Sequence, residues 1–330
     1  MKRNFPGADD ILKQNMKNNK KIIVTGAAGL VGQNLIPILV KDKYVVVAID
    51  RNTKNLELLK KLNPETKCIN SDVSEKGSWQ DEFTDAFCVI ELHAQIASQK
   101  PEEFSKSNVT GVSNVIDICK KNKVKNLIHI SSSVVISVAN DEYTKTKRLG
   151  EEIVRKSGIS YTILRPTLMY GLFDSKHLGW ITRFMEKIPI IPIPGSGKYI
   201  RQPLFVEDLC SIILELVERE PKNQTWNIIG REKIYYIDLL KMIAKAREFR
   251  RLFVPIPVFL FGLLLKLYGF IMGKPMFTKE QMNALVAGDI FEVQNWWDEF
   301  NVEYTSFEKG IWKTWHSEES KYAEEMESPH

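Results

Sequence analysis

The stretch Lys21-Ile-Ile-Val-Thr-Gly-Ala-Ala-Gly-Leu-Val-Gly32 decides the fold. Its first five residues, rich in β-branched side chains, read as a buried strand, and an apolar helical pattern over 31–40 follows the loop at once. Between them stand Gly26, Gly29 and Gly32. In such a strand-to-helix turn one glycine permits the sharp bend, one lets the backbone approach a pyrophosphate, and one lets the helix pack on the strand. The helix N-terminus, with Leu30 and Val31 in its first turn, offers unpaired N–H groups and the positive end of a dipole to a phosphate. The loop therefore reads as a dinucleotide cradle rather than a structural turn.

Outward from the loop the alternation continues. Apolar runs at 44–49, 67–70, 87–92, 126–131 and 160–164 alternate with helical patterns such as 109–120, the signature of parallel strands joined by crossover helices. The expected fold is α/β: a Rossmann-type doubly wound parallel sheet with a smaller C-terminal substrate-binding lobe. The NAD(P)-binding domain is expected over 21–170. After Pro166 the pattern loosens and 188–197 is rich in proline and glycine, so the lobe is expected over 171–316, with about 203–230 returning to the first domain. Residues 1–20 carry no apolar leader core and read as a mobile tail, and the acidic 317–330 reads as disordered.

Asp50 closes the second strand about twenty residues beyond the loop, where a carboxylate accepts hydrogen bonds from the adenosine ribose. This favours NAD. Arg51 follows directly and keeps NADP as the alternative, because a guanidinium pairs well with a 2′-phosphate.

A chain of 330 residues with 44% hydrophobic composition can bury a full core. Its net charge of +5 comes from 46 basic against 41 acidic residues, a mixed surface that makes no case for nucleic-acid binding. Cys68, Cys88, Cys119 and Cys210 lie far apart in apolar stretches without metal-ligand spacing, so no metal is expected, and a reducing, cytoplasmic setting fits. One segment, 252–273, is almost wholly apolar. Pro255 and Pro257 leave about fifteen helical residues, fewer than the ~20 a span needs. A helix packed into the protein is the reading taken, with membrane contact through 253–272 as the alternative.

After the fifth strand come Ser131-Ser-Ser133 and then Tyr143-Thr-Lys-Thr-Lys147. A phenol titrates near ~10 in water, so a tyrosine acting as a base at neutral pH needs positive charge nearby. Lys147, four residues along a helix, lies on the same face as Tyr143 and can supply it. A serine at the C-terminal end of a strand can hydrogen-bond the reacting oxygen.

With the Thr25-Gly-x-x-Gly-x-x-Gly32 loop, these motifs resemble the short-chain dehydrogenase/reductase superfamily. Arg165-Pro-Thr-Leu-Met-Tyr-Gly171 and Arg201-Gln-Pro-Leu-Phe-Val-Glu-Asp208 resemble its extended branch, the NAD-dependent epimerases and dehydratases of nucleotide-sugar metabolism, from about Lys21 to Trp315. The resemblance implies that Tyr143 moves the proton of a sugar hydroxyl and that Lys147 also bonds the nicotinamide ribose. Ser133 aligns with the family serine, with Ser132 as the fallback. Asp72 and Val73 would lie beside the adenine, Ala94 near the pyrophosphate, and Pro166 and Thr167 by the nicotinamide carboxamide. Asn108 would brace the active-site strands. Arg201 is the candidate for a substrate diphosphate, and Lys176 and His177 lie on a loop that would face the substrate, a solvated loop being the competing reading. Related enzymes are often homodimers.

The chain departs from the family pattern at three places. Glu91-Leu-His-Ala94 replaces the usual His-Leu-Ala-Ala, only nine residues separate Ser133 from Tyr143, and the apolar 253–272 falls where the second lobe closes over substrate. The function expected is an NAD(P)-dependent oxidoreductase acting on a nucleotide-linked sugar, as an epimerase or ketoreductase. The alternatives are a non-catalytic dinucleotide-binding sensor or assembly subunit, and a dehydrogenase of a steroid-like or lipid alcohol.

Overall fold

The expected strand-loop-helix unit is present as β1 (Lys21–Thr25) and α1 (Leu30–Lys41) in a computed structural model that describes residues 20–272, 288, 290–323 and 325–326. It is followed by β2 (Val45–Asp50), α2 (Thr53–Leu62), β3 (Lys67–Asn70) and β4 (Ala86–Glu91). Next come a short α3 (Pro101–Ser105), α4 (Val112–Lys121), β5 (Leu127–Ile130), α5 (Glu142–Arg155) and β6 (Tyr161–Pro166). Asn52 caps α2 by accepting from Asn55 N, and Asp141 caps α5 by accepting from Thr144 N, each satisfying an N–H that the helix leaves unpaired.

The second half contributes β7 (Met169–Tyr170), α6 (Leu178–Lys187), β8 (Ile190–Pro194), β9 (Ile200–Arg201), β10 (Leu204–Phe205), α7 (Val206–Glu218) and β11 (Gln224–Ile228). Then follow β12 (Ile234–Tyr235), α8 (Tyr236–Ala246), β13 (Leu252–Ile256), α9 (Val258–Met272), α10 (Trp296–Glu299), α11 (Phe307–His316) and α12 (Ser320–Ala323). Seven strands form one sheet in the order β11-β6-β5-β4-β1-β2-β3, and every neighbouring pair is parallel. This is the doubly wound Rossmann-type fold. The order reverses between β1 and β4, where such sheets open a ligand crevice.

Both faces of the sheet are covered, which is why its strands are apolar on both sides. On one face α1 and α7 pack over Ile22, Val24, Ile90 and Ile128; on the other, Val112, Val115 and Ile116 of α4 and Val154 of α5 cover Ile23, Val89 and Leu127. The second lobe has its own core of Tyr170, Met185, Ile193, Leu239, Phe307 and neighbours, in which α8 packs against α11. Chain from the second half returns to the sheet, since α7 lies on α1 and β11 extends the β6 edge.

Several details differ from expectation. The helix expected over 109–120 begins at Pro101 and runs through a π-helical turn, Lys106–Gly111, before α4. The acidic end expected to be disordered carries the helical turn α12, and Met326 is buried against Leu58 and Phe173, because apolar Tyr322 and Met326 among the acidic residues give the segment something to bury. Residues 1–19, expected to form a mobile tail, lie outside the described residues, as do 324 and 327–330. The largest difference is α9. None of the side chains described between Val258 and Leu267 is buried, so the helix is not packed into the protein. Its surroundings explain this: β13 pairs with β8 alone in a two-stranded ladder, leaving little surface for a helix to cover. Among the described residues no helix is long and apolar enough to cross a membrane.

Candidate active site

The three glycines perform distinct tasks. Gly26 has a φ of +67° and no room for a Cβ, which would stand 2.4 Å from the backbone N of His93. Gly29 is the N-cap of α1, whose first turn holds no acidic residue to repel a phosphate. Gly32 faces away from the crevice, and a Cβ there would stand 2.1 Å from the Ala27 carbonyl oxygen. A Gly32→Ala chain is therefore expected to force α1 off β1, costing roughly 1–3 kcal/mol and abolishing stabilisation by a dinucleotide; differential scanning fluorimetry with and without NAD checks both, and an unchanged response to NAD counts against the cradle.

A crevice of about 1010 Å³ opens beside this loop at the C-terminal ends of the strands. It is lined by Gly26, Gly29, Leu30, Val31, Asp50, Arg51, Asp72, Val73, Ala94, Ser133, Tyr143, Lys147, Pro166, Thr167, Lys176, His177 and Arg201, so residues scattered over 176 positions of the sequence meet in one place. Gly32 and Asn108 stand behind it. Asn108 is buried, accepts from Gln95 N at 2.8 Å and donates to the Gln95 carbonyl and the Thr146 hydroxyl, each at 3.0 Å, tying the end of β4 to α5.

At one end of the crevice, Asp50 accepts from Ala28 N at 2.9 Å and from Asn52 N at 2.8 Å, so its carboxylate holds the glycine loop in shape. Burial pushes its pKa up against these bonds. Arg51 donates to Gln95 Oε1 at 2.6 Å and lies 3.6 Å from Asp72. Lys176, expected on the substrate side, is felt electrostatically by Asp50 and Arg51; burial brings its ammonium down to about 8. The reason is local. Asp174 accepts from Lys176 N, His177 N and Gly179 N, and the Leu172 carbonyl accepts from Asn34 of α1, which folds this loop back over the first domain. His177 is exposed beside it. Thr167 is fixed by accepting from Gly230 N at 3.0 Å.

At the other end, Tyr143 opens α5 and is half-buried. Burial pushes its phenol up to about 12, opposed by the Ser132 hydroxyl and reinforced by Asp141. Ser132, the fallback of the sequence reading, bears on the phenol electrostatically; Ser133 is buried and opens the short 3₁₀ turn Ser133–Ile136. Lys147 is 2% exposed and donates to the Ile130 carbonyl at 2.9 Å. Burial lowers its ammonium to about 8, while Glu91 and then Glu151 hold it up.

Beneath Lys147 lies a group of side chains whose partnership the sequence did not disclose. Glu91 on β4 is fully buried, and His129 Nδ1 on β5 sits 2.6 Å from its Oε2. His93 places Nε2 3.6 Å from Glu91 Oε1 and Nδ1 2.9 Å from the Thr25 hydroxyl. Burial works to raise the Glu91 carboxyl, but His129, His93 and Lys147 together bring it below its ordinary range. Burial brings His93 down to about 4, so it is neutral. Gln202 and Phe291 also line the crevice; the Gln202 amide donates to the Phe291 carbonyl and accepts from its N–H, closing the substrate side. Their separation in sequence left no local pattern to read.

Comparison with known proteins identifies the family of the chain. The NAD dependent epimerase/dehydratase family matches residues 22–228. A protein of Methanocaldococcus jannaschii, provisionally assigned as a UDP-glucose 4-epimerase, is 29% identical over 259 residues, covering 69% of this chain and 83% of its own. The mitochondrial NADH dehydrogenase [ubiquinone] 1 alpha subcomplex subunit 9 of Dictyostelium discoideum is 23% identical over 239 residues, 71% of this chain and 66% of its own. Among solved structures, a UDP-glucose 4-epimerase of Thermotoga maritima with UDP-glucose superposes with a TM-score of 0.70 at 20% identity, over 89% of this chain and 97% of that one.

Proposed function

Because the chain belongs to the NAD dependent epimerase/dehydratase family, with NAD as its cofactor, we propose that it inverts a carbinol carbon of a UDP-linked sugar by oxidation and re-reduction at Tyr143 and Lys147. The observation that carries this reading is the meeting of Tyr143, Lys147 and the Gly26–Gly32 cradle in one crevice. The cradle fits a dinucleotide, since added Cβ atoms at Gly26 or Gly32 would strike backbone.

When bound, NAD supplies a hydride acceptor and gives the same hydride back. Tyr143 takes the proton of the sugar hydroxyl as its carbon becomes a ketone, then returns it to the oxygen after the ketone has presented its other face. The raised phenol means that Tyr143 holds a proton readily, which suits the donating half of the cycle. Lys147 supplies positive charge that eases the accepting half, and the Ser132 hydroxyl steers the phenol. Arg201, on the substrate side of the crevice, is suited to paired hydrogen bonds with a diphosphate.

A thermal-shift series tests the reading directly. NAD and UDP-glucose together are expected to raise the melting temperature beyond NAD alone, and the NAD-loaded protein is expected to isomerise a UDP-hexose without net NADH formation. Net consumption of reduced cofactor points to a ketoreductase instead. A second reading, a dinucleotide-binding subunit without turnover, draws on the similarity to the Dictyostelium NADH dehydrogenase subunit. Stabilisation by NAD with no response to any nucleoside diphosphate selects it.

A further inference from the structure

A helix that is apolar on all sides belongs in a core, yet α9 lies on the surface. Phe259, Leu263 and Leu267, four residues apart and so on one face, are 77%, 60% and 55% exposed, and Leu260 and Leu264 are exposed beside them. The ladder that carries the helix has a second exposed apolar pair at its start, where Leu252 pairs with Ile190.

The charges around this surface are mostly basic. From Phe249 to Met272 the chain contains Arg250, Arg251 and Lys266 and no acidic residue. Arg250 stands immediately before exposed Leu252, exposed Lys187 ends α6 just before Ile190, and exposed Lys266 shares the outward face of α9. Glu248 stands just before this stretch, and Glu186 is already paired with Arg247.

From this arrangement we infer that α9 and the Leu252–Ile190 end of the ladder dock in the interfacial plane of an anionic lipid bilayer. A helix of fifteen residues is about 22 Å long, short of the roughly 30 Å hydrocarbon core, so it lies in the surface rather than crossing it. Lipid rather than a protein groove fits the breadth of the patch, because Phe259, Leu263 and Leu267 form one exposed stripe and Leu260 and Leu264 a second beside it, whereas a groove covers a single stripe. The basic side chains match anionic headgroups, with Lys266 able to reach upward from an immersed stem. Docking also has a bearing on the crevice: Gly195 bonds the Ile256 carbonyl just before α9, and a short loop leads from it to Arg201 on the substrate side.

The test is co-sedimentation of the full-length, NAD-loaded protein with vesicles of phosphatidylcholine alone and of phosphatidylcholine with phosphatidylglycerol at three to one. Binding to the anionic vesicles is expected to exceed binding to the neutral ones by at least about ten-fold. It is expected to be lost in a Phe259→Glu, Leu263→Glu chain and weakened in a Lys187→Glu, Arg250→Glu chain, with the melting temperature and the response to NAD kept in both. No sedimentation of the native protein, or equal binding to both vesicles, overturns the inference. So does a dimer by light scattering that the Phe259→Glu, Leu263→Glu change dissolves while neither form binds vesicles.

Discussion

Turnover of a UDP-hexose by a Tyr143→Phe chain is expected to fall about 10²–10⁴-fold, the usual contribution of a positioned proton-transfer group. Stabilisation by NAD should be retained. The substitution removes one hydroxyl from a half-buried ring and leaves the cradle untouched, so a loss of binding alongside activity would show that the ring has a structural task instead. Ser132 bears on this phenol electrostatically, so Ser132→Ala is expected to slow turnover more than Ser133→Ala. The pH profile identifies the lysine. In the free enzyme Lys147 loses its proton as pH rises through about 8 while the phenol still holds its own, so kcat/KM should rise with pH below that value and level off above it. A Lys147→Arg chain, whose charge persists, should lose this break whatever its absolute rate.

The second large effect is on stability. Glu91→Leu is expected to destabilise the fold by about 3–5 kcal/mol, because it leaves the buried His129 ring without its hydrogen-bond partner and the Lys147 cation without its counter-charge. For a chain of 330 residues that is a fall in melting temperature of about 4–7 °C. Adding His129→Phe should recover part of it, since replacing both partners of a buried pair by apolar groups is less costly than removing one, while Lys147 still lacks its counter-charge. The pH dependence has a definite sign. Glu91 is depressed from its ordinary value of 4.5, so its contribution is complete above that value and is lost as pH falls through the lower folded one. Acid unfolding curves of the native and doubly substituted chains should therefore differ below pH 4.5 and run parallel above it. Equal stability of Glu91→Leu and the native chain would show that the carboxylate is dispensable.

What could be read from the sequence was what depends on near neighbours. The glycine loop, Asp50 at the end of its strand and the four-residue spacing of Tyr143 and Lys147 each report a local geometry, and all reach the same crevice. Glu91 stood out as a departure from the family pattern, but its meaning required His129, which reaches it only through the pairing of β4 with β5. The approach of Lys176 to Asp50 depends on the turn held by Asp174, which cannot be inferred from residue types. The apolar content of α9 was read as a sign of burial. Hydropathy states what a helix prefers to contact, and a two-stranded ladder offers too little protein to satisfy it.

The return of β11 to the edge of the main sheet has a consequence for how the chain is made. Six of the seven strands have been synthesised by Pro166, but the partner of β6 is not complete until Ile228, after α6, α7 and the β7–β10 ladder. During that interval the nascent sheet presents β6 as an open edge of unpaired N–H and C=O groups, the kind that invites pairing with another chain. Folding from the N-terminus therefore passes through a vulnerable stage lasting several seconds at ordinary translation rates. A fragment ending near residue 170 would keep that open edge permanently, whereas one extended through β11 would close it.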